Sequence, residues 1–204
     1  MLISMKFLIN ILIFMFMVWF ITQRAHMTWQ SSSSGKLFYV KRSSGQQAVA
    51  DRLEVLTTRL NELLEKADDT YPGDPRIAAV RARWNGTLAE VSDKSEIAYS
   101  MNKQDVHVCV KSPEGALESV NTSMYVLLHE IAHVATDTYG HKPEFWLNFR
   151  WFLEVADSLG LYEYEDFDTK ETTFCGHTLG NNVLRCRKRG ECESLLEKKS
   201  QITQ

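Results

Sequence analysis

Two histidines four residues apart, in the run His129-Glu130-Ile131-Ala132-His133, constrain the fold of this chain more than any other feature. Residues four apart lie one turn apart on the same face of an α-helix, so both imidazoles could bind one metal ion. Glu130 follows the first histidine, where its carboxylate could take a proton from water at the metal without being a ligand itself. The pattern predicts a helix that carries a hydrolytic metal site.

The residues around this motif favour a metal over two structural histidines. The flanking positions are apolar and predict a buried helix, at Met124, Val126, Leu127, Leu128, Ile131, Ala132, Val134 and Ala135. Two imidazoles and a carboxylate inside such a helix cost free energy unless a partner satisfies them, and a metal ion would do so. A buried helix with two hydrogen-bonded histidines is the alternative interpretation.

A third ligand is needed, because a catalytic zinc site has three protein ligands and one position open to water. His141 is the predicted third ligand, since Gly140 can adopt a positive φ, end the helix and turn the chain back toward the metal. Glu154, on the next predicted helix, is the competing third ligand. The predicted metal is Zn²⁺, although imidazole also suits other transition metals. Glu130 is the predicted catalytic residue.

Hydrophobic periodicity predicts an α+β domain around the motif. Three further helices are expected, over residues 46–66, 76–84 and 144–159, the last with Pro143 at its first position and Gly160 after its end. Residues 97–101 and 106–110 alternate between apolar and polar, which predicts an antiparallel hairpin. The expected architecture is an active-site helix, a small antiparallel sheet and flanking helices.

The run from 124 to 151 resembles the minimal zinc metallopeptidases of the WLM, SprT-like and YgjP-like groups, because it combines the HExxH motif with Gly140-His141 and Phe145-Trp146. In those families a histidine shortly after HExxH is the third ligand, and the aromatic pair packs the next helix. The spacing of eight residues from His133 to His141 is a little longer than in YgjP-like proteins and shorter than in SprT-like ones. The resemblance implies a zincin-like fold, a zinc cofactor and peptidase activity, with a sheet edge beside the metal that binds extended peptide.

A broader resemblance covers more of the chain. It is similar to uncharacterised membrane-anchored HExxH proteins of large DNA viruses, at Ser100-Met101-Asn102-Lys103, at the strand predicted over 106–110 and at Phe174-Cys175-Gly176. This second resemblance implies nothing about the substrate.

The N-terminal segment is predicted to be a single-pass membrane anchor. Residues 7–22 are apolar apart from Asn10 and Thr22, and with residues 1–5 they supply about 20 residues, enough to cross a bilayer core of about 30 Å. A cleaved signal peptide is the alternative, but residues 19–24 lack the small residues of a cleavage site. The count of positive charges favours a cytosolic domain and the cysteines favour an oxidising compartment, so the side of the membrane stays open.

Four segments follow from these features. They are a transmembrane anchor (1–24), a linker and lead-in segment (25–45), a zincin-like metallopeptidase domain (46–180) and a tail with basic, acidic and cysteine residues (181–204). The part behind the anchor is long enough for one hydrophobic core. Nucleic acid is not an expected partner, because the net charge is −3 and acidic residues follow the basic run at 185–189.

The four cysteines leave several arrangements open. Cys109, Cys175, Cys186 and Cys192 could form one or two disulfides, with three possible full pairings. Cys175 and His177 could also join the last two cysteines in a second zinc site, although the spacing lacks the close pairs of ordinary structural sites.

The sequence as a whole predicts a membrane-anchored zinc metallopeptidase whose partners are a peptide or protein substrate and, through the anchor, membrane lipid. The alternative is a membrane-tethered structural or binding protein that is stabilised by a metal and cleaves nothing. A hydrolase of another kind of amide bond is a third reading. The sequence indicates neither the substrate nor the oligomeric state.

Overall fold

Five helices and seven strands form the part of the chain that the computed structural model describes, which is residues 5–24, 26–167, 169–180 and 183–184. The helices are α1 (Met5–Arg24), α2 (Gln46–Thr70), α3 (Pro75–Arg83), α4 (Val120–Ala135) and α5 (Pro143–Ser158). The strands are β1 (Met27–Ser31), β2 (Leu37–Lys41), β3 (Leu88–Glu90), β4 (Ala98–Met101), β5 (Asp105–Val108), β6 (Thr172–Phe174) and β7 (His177–Leu179). The fold is α+β, as predicted.

Strands β1 to β5 form one mixed sheet in the order β1-β2-β3-β5-β4. The pairs β1–β2 and β4–β5 are antiparallel, whereas β2–β3 and β3–β5 are parallel. The expected small antiparallel sheet is therefore corrected to a mixed one. The parallel pairing of β2 and β3 requires a long crossover, and helices α2 and α3 supply it.

The predicted hairpin is confirmed and forms one end of this sheet. Strand β4 pairs with β5 in a register that sets Tyr99 opposite His107. Asn102 and Lys103 in the connecting turn both have positive φ, which is the backbone conformation of a type I′ hairpin turn. Strand β4 is the last strand in the sheet order and therefore forms its edge, and it packs against α4.

The core lies between the helices and the sheet. Helix α2 buries one leucine-rich face and extends to Thr70, four residues beyond its predicted end at 66. Helix α5 begins at Pro143 and ends before Gly160, as predicted. Its aromatic side chains fill the space beside α4, and the fully buried ones are Phe145, Phe149 and Phe152.

Residues 27–41, which the sequence analysis assigned to a lead-in segment, form the two-stranded end of the sheet. The serine-rich stretch is the turn between β1 and β2, where Ser32 and Lys36 are joined by a backbone hydrogen bond of 2.7 Å. Phe38 and Val40 of β2 point into the core. Strands this short carry too few residues for their alternation to be distinguished from a polar linker.

The predicted N-terminal membrane anchor, and the single-pass membrane localisation that depended on it, are wrong. Among the residues that the structure describes, no helix is long and apolar enough to cross a bilayer. Helix α1 has 20 residues, but its apolar run lies only between Lys6 and Gln23, and these 16 residues rise roughly 24 Å at about 1.5 Å each. The prediction had added residues on the far side of Lys6, of which 1–4 lie outside the described part of the chain.

Candidate metal centre

Helix α4 carries the HExxH motif in its C-terminal half. The helix begins after Ser119, whose hydroxyl oxygen accepts a hydrogen bond of 3.2 Å from the backbone N–H of Thr122. This is an ordinary N-cap, which satisfies one of the unpaired donors of the first turn. The regular helix then sets His129 and His133 one turn apart, with Glu130 between them and buried.

The structure brings the three predicted ligands together. The Nε2 atom of His141 lies 3.0 Å from Nε2 of His129 and 3.1 Å from Nε2 of His133. Ligand nitrogens at about 2.0–2.1 Å from a tetrahedral metal lie roughly 3.3 Å apart, so the observed spacing fits three ligands of one ion. Within the described part of the chain, these three side chains form a group that could hold a metal ion.

The electrostatic environment keeps these imidazoles neutral. Burial, with smaller effects from the nearby His133 and His141, lowers the pKa of His129 to about 3. Burial also lowers the pKa of His133 to about 4, with smaller effects from His141 and Lys103, and it lowers the pKa of His141. A neutral imidazole offers a nitrogen lone pair, which is the form that binds metal. In the tautomers that carry the proton on Nδ1, the three Nε2 atoms present lone pairs to one point, which suits a cation between them.

Glu130 lies beside this group and is only 7% exposed. Burial raises the pKa of its carboxyl to about 7, hydrogen bonds from Ser100 oppose that rise, and the nearby Glu96 carboxylate adds to it. A carboxyl group with a pKa near neutrality can both accept and release a proton. Ser100 belongs to β4, so the edge strand of the sheet touches the predicted catalytic residue. This contact could not be predicted from local sequence patterns, because it joins positions 30 residues apart.

Phe145 holds the imidazoles from the side of α5. Its ring centroid lies 4.8 Å from that of His129, 4.2 Å from that of His133 and 4.7 Å from that of His141. Trp146 contacts His141 with a centroid distance of 5.5 Å. The aromatic pair quoted for the family resemblance therefore packs α5 against the ligands.

The path of the chain into His141 differs from the expectation. Gly140 has the predicted positive φ, of 78°, but it does not end the helix. Helix α4 already stops at Ala135, and Thr136 continues in an extended conformation. The hydroxyl of Thr136 accepts a hydrogen bond of 2.9 Å from the amide of Asn148, which ties the loop to α5. Gly140 serves instead as the last bend before His141.

Two cations stabilise the end of α4 and the loop after it. Arg83 donates a hydrogen bond of 2.8 Å to the carbonyl of Val134 and forms an ion pair with Asp137. Lys103 donates to the carbonyl of Thr136 and, at 2.7 Å, to that of Asp137. Carbonyls in the last turn of a helix lack helical partners and carry partial negative charge, so cations are suitable donors. The sequence analysis missed both residues, since they belong to α3 and to the β4–β5 turn.

Glu154, the competing third ligand, is engaged elsewhere. Its carboxylate accepts a hydrogen bond of 2.8 Å from Nε of Arg150 on the same helix. The group of convergent donors contains His141 and not Glu154. The geometry therefore favours His141.

The cysteine question is resolved in part. Cys109 and Cys175 form a disulfide, which connects β5 to the β6–β7 hairpin. The sulfur of Cys175 is therefore not available to the second zinc site considered above. Cys186 and Cys192 lie outside the described residues, as does the basic run at 185–189.

The three histidines open onto a surface cavity of about 390 Å³. Strand β4, the β4–β5 turn, α4 and the loop before His141 line this cavity. Tyr99 projects near it and is stacked on His107 with a centroid distance of 4.6 Å. Lys103 lies 4.9 Å from the ring centroid of Tyr139 at the entrance. A ligand could thus approach the group from the edge of the sheet.

Comparisons with known proteins identify viral relatives. The chain is 20% identical over 164 residues to an uncharacterised protein of Acanthamoeba polyphaga mimivirus, which covers 76% of this chain and 83% of that protein. It is 31% identical over 96 residues to an uncharacterised protein of Invertebrate iridescent virus 6, covering 41% of this chain and 54% of that protein. An uncharacterised protein of Invertebrate iridescent virus 3 is 33% identical over 67 residues, which is 32% of this chain and 42% of that protein.

These matches confirm the similarity to uncharacterised proteins of large DNA viruses. No protein-family model matches the chain, and no solved structure matches it. The likeness to the WLM, SprT-like and YgjP-like groups stays a resemblance carried by the motif residues alone.

Proposed function

We propose that this protein is a zinc-dependent metallopeptidase that hydrolyses peptide bonds. The observation that carries the proposal is the convergence of three imidazole Nε2 atoms beside a buried carboxylate whose pKa lies near 7. A purely structural site has no need of that carboxylate, because burying it costs free energy. The cavity beside the group supplies the space for a substrate.

Each residue of the group has a definite role in this proposal. His129, His133 and His141 hold the ion, and bound Zn²⁺ would supply Lewis-acid chemistry by lowering the pKa of water and polarising a carbonyl. Glu130 takes the proton from the attacking water and delivers it to the departing amine nitrogen. Ser100 positions Glu130 through its hydrogen bonds.

The substrate proposed is an extended peptide. Strand β4 pairs with β5 along one side, and within the described sheet its other side has no partner strand. Ala98, Tyr99 and Ser100 of this strand line the cavity beside the histidines. An extended peptide could add to such an edge through main-chain hydrogen bonds, which would set one of its carbonyls next to the group.

The experiment combines metal content with hydrolysis, using the full chain and four proteins. These are the wild type, His141→Ala, Glu130→Gln and, as a matched control, His26→Ala, which removes an exposed histidine outside the group. We expect about one zinc per chain by elemental mass spectrometry in all but His141→Ala. Casein hydrolysis, followed by mass spectrometry of the fragments, should fall about 10²–10⁴-fold in Glu130→Gln.

Three results would contradict the proposal. Full hydrolysis by a zinc-loaded Glu130→Gln protein would remove the role of this carboxylate. A folded wild type that takes up no zinc would remove the metal site altogether. Stoichiometric zinc without cleavage of any peptide would instead favour the alternative, a metal-stabilised structural or binding protein.

A further inference from the structure

A second cavity, of about 540 Å³, adjoins the cavity in front of the histidines. His129, Glu130 and Ala98 line both this cavity and the one in front of the histidines. The second cavity extends away from them between α4, α5 and the β6–β7 hairpin. Its volume lies in the range of sites that bind small ligands or parts of larger ones.

The walls of this second cavity are mostly apolar. They come from α4, α5, the residue before β4 and strand β7, as Tyr125, Val126, Trp146, Phe149, Ile97 and Leu179. Besides His129 and Glu130, the polar side chains of the lining are Ser95 and Glu96, both exposed to solvent, and His177. The apolar walls favour an apolar occupant, because contact with them removes apolar surface from water.

The β6–β7 hairpin, with Gly180 after it, forms the outer wall of this cavity and is attached to the rest of the protein. Cys175, in the turn of the β6–β7 hairpin, is joined to Cys109 and donates its backbone N–H to the carboxylate of Glu118 at 2.7 Å. Phe174 is fully buried and holds the hairpin against the core. Leu179 at the end of this hairpin therefore has a set position in the cavity wall.

We infer that this cavity is a specificity pocket, which takes a large aliphatic or aromatic side chain of the substrate residue beside the scissile bond. The inference rests on the proposed peptidase function and adds a substrate class to it. A peptide whose scissile carbonyl lies beside the three histidines would have a neighbouring side chain within reach of the opening, which His129 and Glu130 line. Burial of that side chain distinguishes leucine or phenylalanine from alanine.

Octapeptides of glycine, alanine and serine with one variable residue provide the test. The variable residue is alanine, leucine, phenylalanine, lysine or glutamate, and mass spectrometry locates the cut. We expect cleavage next to leucine or phenylalanine, at a rate at least about 10-fold higher than for alanine. The Glu130→Gln protein should also bind the leucine peptide about 10-fold more tightly than the alanine peptide, measured by calorimetry.

Two substitutions in the outer wall change the size of the pocket. Gly180 lines the cavity, and a side chain added there meets open space without an unfavourable φ. Gly180→Leu should narrow the pocket and reduce the preference for leucine and phenylalanine about 10-fold, with alanine peptides cleaved as before. Leu179→Ala should widen it and shift the preference toward phenylalanine. Thr178→Leu, at the exposed position just before Leu179 in β7, is the matched control and should change nothing.

The outcomes separate this inference from the function on which it depends. Cleavage without a preference, or with a preference for lysine, would overturn the pocket and leave the peptidase in place. The same holds if Gly180→Leu and Leu179→Ala both keep the wild-type preference. Zinc-loaded wild type that cuts no octapeptide and no casein would overturn both.

Discussion

The candidate metal centre has two halves that are held in different ways. His129 and His133 belong to α4, where the regular hydrogen bonds of the helix fix their backbone positions. His141 lies in a loop, and its position depends on Arg83, Lys103 and side-chain packing. The helical half is therefore preformed, whereas the loop half is assembled by residues distant in sequence. Substitutions that affect metal binding without removing a ligand should act mainly through the loop.

Phe145→Ala should have the largest effect, because this ring contacts ligands of both halves. The side chain is fully buried, so its loss should lower the free energy of unfolding by about 3–5 kcal/mol. We also expect zinc affinity to fall, since the three imidazoles lose a shared wall. Urea denaturation with a chelator present and zinc titration against a competing indicator measure the two effects separately.

Phe145→Leu is the matched control for this prediction. It keeps most of the buried volume, so the stability loss should be smaller while zinc affinity still decreases. If Phe145→Ala lowered stability and left zinc affinity unchanged, the ring would have no part in positioning the ligands.

Lys103→Met tests the loop half alone. Loss of the hydrogen bonds to the carbonyls of Thr136 and Asp137 should loosen the approach to His141 and weaken zinc binding about 10-fold. Arg81→Met is the control, because Arg81 also donates to a backbone carbonyl, that of Leu64 at 3.4 Å, and pairs with Asp68, and both partners lie on α2 and not in the loop. Equal zinc affinity in both variants would mean that the loop holds its position without Lys103.

Glu90 lies outside both halves of the site, and Glu90→Gln should have the smallest effect, which is a change in the free energy of unfolding at high pH. Glu90 is 3% exposed, and burial raises the pKa of its carboxyl, although the backbone N–H of Lys41 donates to it at 2.7 Å. Because the folded-state pKa is above the unfolded one, the wild type loses stability as pH rises from about 4.3 through the folded pKa. Glutamine keeps the acceptor and does not titrate.

The variant should therefore be more stable than the wild type at pH 8, with no gain at pH 4. Urea denaturation at the two pH values checks this difference, and zinc affinity should stay unchanged. A gain that is equal at both pH values would show that ionisation of Glu90 is not its cause.

The difference between the two halves also explains what the sequence could predict. The spacing of His129 and His133 and the apolar face around them are local, and periodicity alone placed them on a buried helix. The choice of His141 over Glu154 depended on Gly140 alone. The structure places the imidazole of His141 with those of His129 and His133. Arg83, Lys103 and Ser100 could not be found, because each acts through contacts that join distant positions.

The fold followed the same division. Helices α2 and α5 and the β4–β5 hairpin have strong local patterns and were predicted closely. Strands β1, β2 and β3 are three to five residues long, and their pairing is set by the sheet as a whole. The prediction of a membrane anchor was wrong because it counted apolar residues on both sides of Lys6 as one run.

The disulfide between Cys109 and Cys175 has a consequence for the integrity of the chain. The segment between the two cysteines contains α4, the loop to His141 and all of α5. This segment is a closed covalent ring, so a single peptide-bond break inside it would leave both pieces linked to each other. The proposed peptidase could thus be cut once within this segment, by itself or by another protease, and still keep its three histidines on one molecule.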